Sequence, residues 1–544
     1  MGNYLNPGNE KFRRMIQSEI YVDKTGMIKY TNSVLDTAQN YVCVSRPRRF
    51  GKSMAANMLT AYYSRGCNSK ELFGKFEIAK DKDFEKYLNQ YNTIFLNMQE
   101  FLSRSHKVEE LINRVKKLVI RDLKMEYPEV DYFDDTDLIE SMQDVYAQTQ
   151  CPFVVIIDEW DCIFREYKKD KEAQEKYLDF LRDLLKDKAC IYLSYMTGIL
   201  PIKKYGTHSA LNMFDEFSMI NPGPLACYVG FTEKEVFQVL ENNRLSSEKE
   251  NIRYWYDGFS FGKRKDIYNP WSITKYLDTG EYGTYWADTS GNVLVSNLIR
   301  QSPAKIKSEM EDLLQGRTIC TDLDEQVIFE QLGRKRGAIW SLLLASGYLK
   351  VDRYEMDNRT GKRQYYLKIT NHETMLMFEK MIEDWFSEED SAYGNFKDAL
   401  IAGDLDYMNQ FMNQVALQTF SSFDTGNKPS EEQEPERFYH GFVLGLIVDL
   451  AEKYRITSNR ESGFGRYDVV MEPLKENLDA IVMEFKVQNM KKEKSLEQTV
   501  ENALRQIDEK EYDTELLARG IKKERIRHYG FAFRGKKVLI GTEE

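Results

Sequence analysis

Gly51-Lys52-Ser53 has the residue types to hold a phosphate. Four β-favouring residues, Tyr41 to Val44, read as a buried strand; a turn follows, and an apolar helix runs from Met54 to Tyr63. In a strand–loop–helix of this kind, backbone N–H groups and the positive end of the helix dipole face an anion. The lysine reaches the β/γ-phosphates and the serine hydroxyl is available to Mg²⁺. Nucleotide contacts are expected from Arg49, Phe50, Gly51, Lys52 and Ser53. One position departs from the usual G-x-x-x-x-G-K-S spacing, because its first glycine falls on Arg46. Gly-Lys-Ser by itself would also suit an ordinary strand-to-helix turn.

About a hundred residues on, Phe153-Val-Val-Ile-Ile-Asp158-Glu159 is an apolar run ending in two acids. Such a run predicts a central parallel strand, whose C-terminal end is where doubly wound sheets place ligand chemistry. There Asp158 is expected to hold Mg²⁺ through water and Glu159 to polarise the attacking water. The competing reading is an acidic pair that only caps a strand. The strand Ala189 to Thr197-Gly198 ends in a hydroxyl that would sense the γ-phosphate or would simply terminate the strand. Arg46, Arg48 and Arg49 are either phosphate ligands or contacts to another domain.

A second constellation lies in the last hundred residues. Ala480-Ile-Val-Met-Glu484-Phe-Lys486-Val predicts a strand on which Glu484 and Lys486 share a face and Phe485 takes the other. Gly465-Arg466-Tyr467-Asp468-Val-Val-Met is the strand before it, and a hairpin would bring Asp468 opposite the pair. Two carboxylates sharing a site bind Mg²⁺ or Mn²⁺ through hard oxygens, which activates water and neutralises charge at a phosphodiester. The lysine would orient that water or stabilise the transition state. An isolated E-x-K on an alternating strand carries little weight; Asp468 is what raises it.

The elements that must position these residues alternate strand and helix to about residue 230, which predicts a parallel α/β core. Tyr21-Val-Asp23-Lys24-Thr25 lies near the nucleotide or begins an entry helix with an acidic N-cap. Phe-Thr-Glu-Lys-Glu-Val, from residue 231, is a capping-box-like helix start. The aromatic turns after it, Tyr256-Asp-Gly-Phe and Asn269-Pro-Trp, suit a lid or domain interface better than base stacking. Residues 335 to 386 predict a helix and a hairpin with a basic tip (Arg359, Lys362, Arg363), resembling a winged helix. Ser421 to Pro435 has no periodicity and reads as a mobile loop or boundary. Beyond it an apolar helix is expected from Phe438 to Tyr454, then a glycine-rich approach, Asn459 to Arg466, where Arg460 and Arg466 would bind phosphate.

At 544 residues, with 42% hydrophobic and 30% charged content, the chain is too long for one core. The net charge of −11 excludes a global basic field, so any DNA contact must come from a local patch. Seven scattered cysteines without C-x-x-C predict free thiols in a reducing compartment. The five histidines show no metal-ligand spacing. No signal segment or membrane-spanning run is present, so the cytoplasm is expected and no membrane partner.

Tyr-Val-Asp-Lys-Thr, Ser-Arg-Pro-Arg-Arg-Phe-Gly-Lys-Ser, Ile-Ile-Asp-Glu-Trp-Asp161, Met-Thr-Gly-Ile-Leu-Pro, Trp255-Tyr-Asp-Gly-Phe and Tyr268-Asn-Pro-Trp together resemble the prokaryotic AAA-ATPase-like proteins. Those proteins typically carry a C-terminal domain of the PD-(D/E)XK nuclease superfamily. The resemblance covers nearly the whole chain, and it makes Arg46 in place of glycine a family variant, since Arg-Pro-Arg-Arg-Phe is the usual loop there. It further implies that Asp468, Glu484 and Lys486 are the superfamily motif, with Tyr467 where the name has proline. By the same resemblance Glu436 matches the acid of the first helix, and Gln506 and Tyr512 match an accessory pair on the helix Glu501 to Tyr512; these two are otherwise surface polar residues.

The expected fold is α/β: a P-loop ATPase domain (1–230), a helical lid and winged-helix-like region (231–420), a linker (421–435) and a restriction-endonuclease-like domain (436–544). The expected activity is that of an ATP-dependent, metal-dependent DNA endonuclease or DNA-processing enzyme whose ATPase gates the nuclease. The expected cofactors are ATP and Mg²⁺, with Mn²⁺ as an alternative at the nuclease site. The expected partner is DNA, with homo-oligomerisation open. The alternative is a nucleotide-switched sensor or scaffold whose nuclease fold does not cleave.

Overall fold

The computed structural model describes residues 2–167, 170–201, 211–289, 293–300, 302, 304–314, 316–323, 336–356, 359, 362–387, 392–419, 443, 447, 450, 452–462, 465–475, 478–490, 492–534 and 537–543. The chain divides into two compact units, Met1–Ser290 with Cys320–Met375 and Gly291–Ile319 with Leu376–Glu544. No helix among the described residues is long and apolar enough to cross a membrane.

The first unit is built on five strands: β1 (Tyr41–Ser45), β2 (Asn92–Asn97), β3 (Phe153–Asp158), β4 (Ile191–Gly198) and β5 (Asp215–Phe217). Their order is β2-β3-β4-β1-β5, and every pairing is parallel. β3 is buried at all of its positions, as its unbroken apolar run requires of a strand covered on both faces. β4 lies between the loop strand and the acid strand, so Thr197 ends up between the two halves of the expected site.

A smaller sheet follows: β6 (Phe231–Thr232), β7 (Phe259–Phe261) and β8 (Arg264–Tyr268), in the order β6-β8-β7 with antiparallel pairing. The Phe-Thr-Glu-Lys-Glu start is a complete capping box: Thr232 accepts from the Glu235 N–H, and Glu235 reaches back to the Thr232 N–H at 2.7 Å. Val236, Leu240, Ile252, Tyr256, Ile273 and Tyr276 form the core around which its helices pack. The helix Arg336–Ala345 then leads to β10 (Leu349–Met356) and β11 (Arg363–Ile369), an antiparallel hairpin in a sheet with β9 (Ile319–Thr321). This is the helix and hairpin expected there, and Arg363 of the tip lies over the Tyr354 ring.

The second unit has one sheet of five strands: β12 (Tyr454–Ser462), β13 (Gly465–Pro473), β14 (Ala480–Val487), β15 (Ile526–Arg534) and β16 (Lys537–Gly541), in that order. Only β14 and β15 are parallel, and the helix Leu496–Glu509 makes the crossover between them. Period-two alternation divides the side chains. Val469, Met471, Ile481, Met483 and Phe485 join one core with Val443, Ile447 and Leu450. Val470, Ala480 and Val482 join another with Ile507, Tyr512 and Leu516.

One expectation is corrected here. Tyr454 begins a strand and does not end a helix; its side chain is buried in the same core as Val443, Ile447 and Leu450, so apolar spacing hides the change of element. In the approach to Asp468, Arg460 lies opposite Tyr467 and Glu461 opposite Arg466 on β12 and β13. The linker 421–435 and Glu436 lie outside the described residues.

Candidate functional site

In the first unit the loop after β1 turns at two left-handed positions, Arg49 (φ 64°) and Gly51 (φ 92°), before the helix Lys52–Tyr63. Gly51 is there for its backbone, since L side chains rarely adopt that φ. Lys52 is buried, and its Nζ donates to the carbonyls of Arg46 (3.0 Å) and Pro47 (2.8 Å), inside its own loop. Burial lowers its pKa against the opposing pull of Glu159, Asp161 and Asp158.

Arg46, which stands at the missing glycine, is no phosphate ligand. It is completely buried, donates to the carbonyls of Ser45 and Phe217 (2.8 and 2.6 Å), and lies 4.5 Å over the Phe261 ring. It ties the loop to β5 and β7. Arg49 stacks on Trp271 at 4.4 Å, the Arg48 carbonyl accepts from Asn269 and from the Trp286 indole, and buried Phe50 packs on Phe259 and Phe261. The aromatic turns thus pack on the loop through Trp271, Asn269 and Phe259.

The strand ends meet as the parallel register demands. Asp158 pairs with Asn97 of β2, and its side chain accepts from Thr197 Oγ1 at 2.5 Å and from Asn97 Nδ2 at 3.3 Å. Asp158 is fully buried, which raises its pKa; hydrogen bonds from Thr197 and Ser53 oppose the shift. Ser53 acts on the Asp158 carboxylate, and a hydroxyl and a carboxylate fit a hard divalent cation. Glu159 has a left-handed backbone (φ 56°), and its carboxylate is bound by Arg165 at 2.5 Å. Asp161, buried behind it, accepts from the N–H groups of Ile199 and Leu200.

Lys52, Ser53 and Glu159 line one cavity of about 830 Å³, together with Lys24, Arg49, Trp271 and Arg165. The Tyr21–Thr25 segment is neither helix nor strand; Tyr21, Val22 and Lys24 also line the cavity. Lys24 forms an ion pair with Glu235 at 2.6 Å. Lys24 belongs to the segment expected near the nucleotide, whereas Asn97 and Arg165 carry no such mark in the sequence. Asn97 sits at the end of the short strand preceding β3, which is the one signal that pointed toward it.

In the second unit the β13–β14 register pairs Val469 with Met483, and one step further sets Asp468 opposite Glu484. There Asp468 Oδ2 accepts the Phe485 N–H at 2.8 Å, a side chain taking up a strand N–H. Lys486 Nζ donates to Glu484 Oε1 at 2.9 Å, and Gln506 Nε2 donates to the same oxygen. Phe485 points away onto Phe531 at 4.9 Å. Asp468, Glu484 and Lys486 thus share the face covered by the crossover helix, whereas Phe485 belongs to the opposite core.

The crossover helix ends at Glu509, so Tyr512 lies beyond it and not on it. A left-handed residue, Glu511 (φ 52°), turns the chain back, and the Tyr512 hydroxyl accepts from Gln506 at 2.9 Å. Tyr512 is buried and Gln506 half-buried. Burial raises the Tyr512 pKa, and the charges of Glu484 and Asp468 add to it. Two carboxylates on one face fit a hard divalent cation. The side chains of Arg460 and Arg466, like Glu436, lie outside the described residues.

A third acidic group is different in kind. Ligand atoms of Asp508, His528 and Glu543 lie within 4.8 Å of one another. His528 already faces Asp513 through Nε2 (2.8 Å) and Glu543 through Nδ1 (3.4 Å), which suits a protonated ring without a metal.

Residues 7–207 match the family model of a predicted AAA-ATPase, and residues 434–543 match that of the PD-(D/E)XK nuclease superfamily. Residues 7–207 are thus similar to predicted AAA-ATPases and residues 434–543 to PD-(D/E)XK nuclease superfamily domains, the two-part architecture that the sequence resemblance implied, with an α/β fold in both parts. A protein of Azotobacter chroococcum mcd 1, described as an uncharacterized protein in the vnfD 5′ region, is 23% identical over 322 residues, 58% of this chain and 60% of that protein. The match therefore spans about 60% of the relative's length. Among solved structures, the Aeropyrum pernix ORC1 protein in complex with DNA is 13% identical, covers 71% of this chain and 98% of its own, and has a TM-score of 0.26. The Aeropyrum pernix ORC2 protein (ADPNP–ADP complexes) is 12% identical, covers 69% and 98%, and has a TM-score of 0.31.

Proposed function

We propose that this chain is an ATP-hydrolysing, divalent-metal-dependent DNA endonuclease or DNA-processing enzyme of the prokaryotic cytoplasm, in which the ATPase gates the C-terminal nuclease. The observation that carries the reading is the placement of Asp468, Glu484 and Lys486 on one face of the sheet, backed by Gln506. A scaffold has no use for two carboxylates and an amine gathered in this way.

At the first site Lys52 holds the β/γ-phosphates, Ser53 and Asp158 hold Mg²⁺, and Thr197 keeps Asp158 oriented. The cavity of about 830 Å³ lies within the usual size of a ligand pocket, about 300–1,000 Å³. In hydrolysis the water oxygen bonds to the γ-phosphorus and its proton passes to Glu159. The bond to the β–γ bridging oxygen breaks, and its electron pair leaves on ADP.

At the second site Asp468 and Glu484 hold Mg²⁺ or Mn²⁺, which supplies an acidified water and charge neutralisation. Lys486 orients that water, and Gln506 and Tyr512 hold Glu484. Glu436 is proposed as a further acid. With a net charge of −11, DNA must be gripped by a local patch.

The same charge favours a second reading, in which nucleotide binding switches assembly of a homo-oligomer and the nuclease fold only recognises. The test is cleavage of supercoiled plasmid, linear duplex and single-stranded DNA with Mg²⁺ or Mn²⁺, with no nucleotide, ATP or a non-hydrolysable analogue. Cleavage lost in Lys486→Ala and altered in Lys52→Ala supports the gated nuclease. ATP hydrolysis without cleavage in any condition moves the assignment to the switched scaffold.

A further inference from the structure

We propose that Arg165 completes the nucleotide site in cis: it restrains Glu159 while no nucleotide is bound and transfers to the terminal phosphate when ATP enters. The inference rests on the ATPase reading above.

Arg165 lies on a short helix, Cys162–Glu166, directly after the turn that carries Glu159. Its Nη2 donates to Glu159 Oε2 at 2.5 Å and lies 3.7 Å from Asp161 Oδ1. Both Arg165 and Glu159 line the cavity beside Lys52 and Ser53. The guanidinium occupies Glu159 Oε2, so that oxygen is not open to an attacking water while the pair holds.

The guanidinium is not fully used here. Its Nε is buried without a hydrogen-bond partner among the described residues, and Nη2 makes its one hydrogen bond, to Glu159. A terminal phosphate offers more charge and pairs of oxygens that the planar guanidinium fork can engage bidentately, which one carboxylate oxygen does not. Of the other cations lining the cavity, Lys24 pairs with Glu235, Lys52 bonds its own loop, Arg49 lies on Trp271, and Arg48 is exposed. Arg165 is the one that touches the proposed base.

Asp161 supplies the pivot. It stays fixed by the Ile199 and Leu200 N–H groups whichever way the guanidinium points. Transfer to phosphate would therefore free Glu159 and give up the ion pair to Asp161 Oδ1, while the two N–H bonds to Asp161 Oδ2 remain. It would also make release of the base conditional on a terminal phosphate, so that ADP would leave the restraint in place.

The test uses the full chain, with equilibrium binding of ADP and of a non-hydrolysable ATP analogue and steady-state hydrolysis, for wild type, Arg165→Ala and Arg165→Lys. Arg165→Ala is expected to bind the analogue about tenfold or more weakly while ADP affinity holds. Its kcat is expected to fall by about 10³-fold, the lower end of what an arginine contributes to phosphoryl transfer. Arg165→Lys is expected to recover part of the analogue affinity and little of kcat. Unchanged discrimination between analogue and ADP, or equal loss of both, overturns the inference while wild-type hydrolysis leaves the ATPase reading intact. A wild-type chain that binds neither nucleotide overturns both.

Discussion

Thr197 donates its hydroxyl to Asp158 Oδ1 at 2.5 Å, across the pairing of β4 with β3, and both side chains are completely buried. The contact exists because β4 is inserted between the strand that leads into the phosphate loop and the strand that carries the acids. Thr197→Val keeps the shape and removes the donor. Asp158 then loses one of the bonds that oppose its burial, at a cost of about 1–3 kcal/mol in denaturant unfolding. Steady-state ATP hydrolysis is expected to drop by about tenfold or more. Wild-type stability together with wild-type hydrolysis would show the bond to be idle.

Arg46→Gly writes the consensus glycine into the loop and is expected to harm it. The guanidinium is buried against Phe261 and bonded to Ser45 and Phe217, so its loss leaves a void and two unpaired carbonyls. Unfolding experiments should show a loss of about 2–5 kcal/mol. Nucleotide affinity should not rise; a gain in affinity at unchanged stability would contradict the anchoring role.

Tyr512→Phe and Gln506→Leu probe the support of Glu484. The first removes the acceptor that holds Gln506; the second removes a donor to Glu484 itself. Partners of metal ligands commonly contribute about 10–100-fold to affinity or activity. The plasmid-nicking rate and Mn²⁺ affinity by calorimetry are expected to fall within that range in Gln506→Leu, and less in Tyr512→Phe. Variants that match wild type in both assays would return the pair to a packing role.

His528 gives the second unit a pH dependence. Burial lowers its pKa, but the Asp513 and Glu543 carboxylates more than offset this and leave it raised above the ordinary value of about 6.5. A raised folded pKa means the stabilisation is complete below about 6.5 and is lost as pH rises through the folded value. Histidine NMR on the full chain, with its five histidines, should place His528 above about 6.5 and show a fall in Asp513→Asn. His528→Gln should cost more stability at pH 6 than at pH 8.5. A difference that grows with pH would reverse the sign and discard the assignment.

Both constellations were legible as residue types at fixed spacings. Gly51-Lys52-Ser53, the acids at the end of β3, and Glu484 with Lys486 two apart on a strand are local facts. Strand periodicity alone sent Phe485 to the opposite face, where it packs on Phe531. The helix-to-strand change at Tyr454 was not legible, because one buried apolar series runs through both elements. The helical pattern runs on to Tyr512 but the helix ends at Glu509, since nothing in the composition marks the turn at Glu511.

The sequence by itself determined the alternation of strands and helices, the loop that presents Lys52, the acids on β3 and β14, and the family resemblance. These follow from backbone sterics and side-chain periodicity, which act over a few residues. Tertiary structure alone decided that Arg46 turns inward onto Phe261, that Asn97 and Thr197 flank Asp158, and that Arg165 holds Glu159. It also decided that Gln506 and Tyr512 stand behind Glu484. The first and third depend on which way a side chain turns, and the others depend on strand order and crossover packing. Strand order joins residues far apart in the chain through hydrogen bonds that any backbone can make, so no local spacing encodes them.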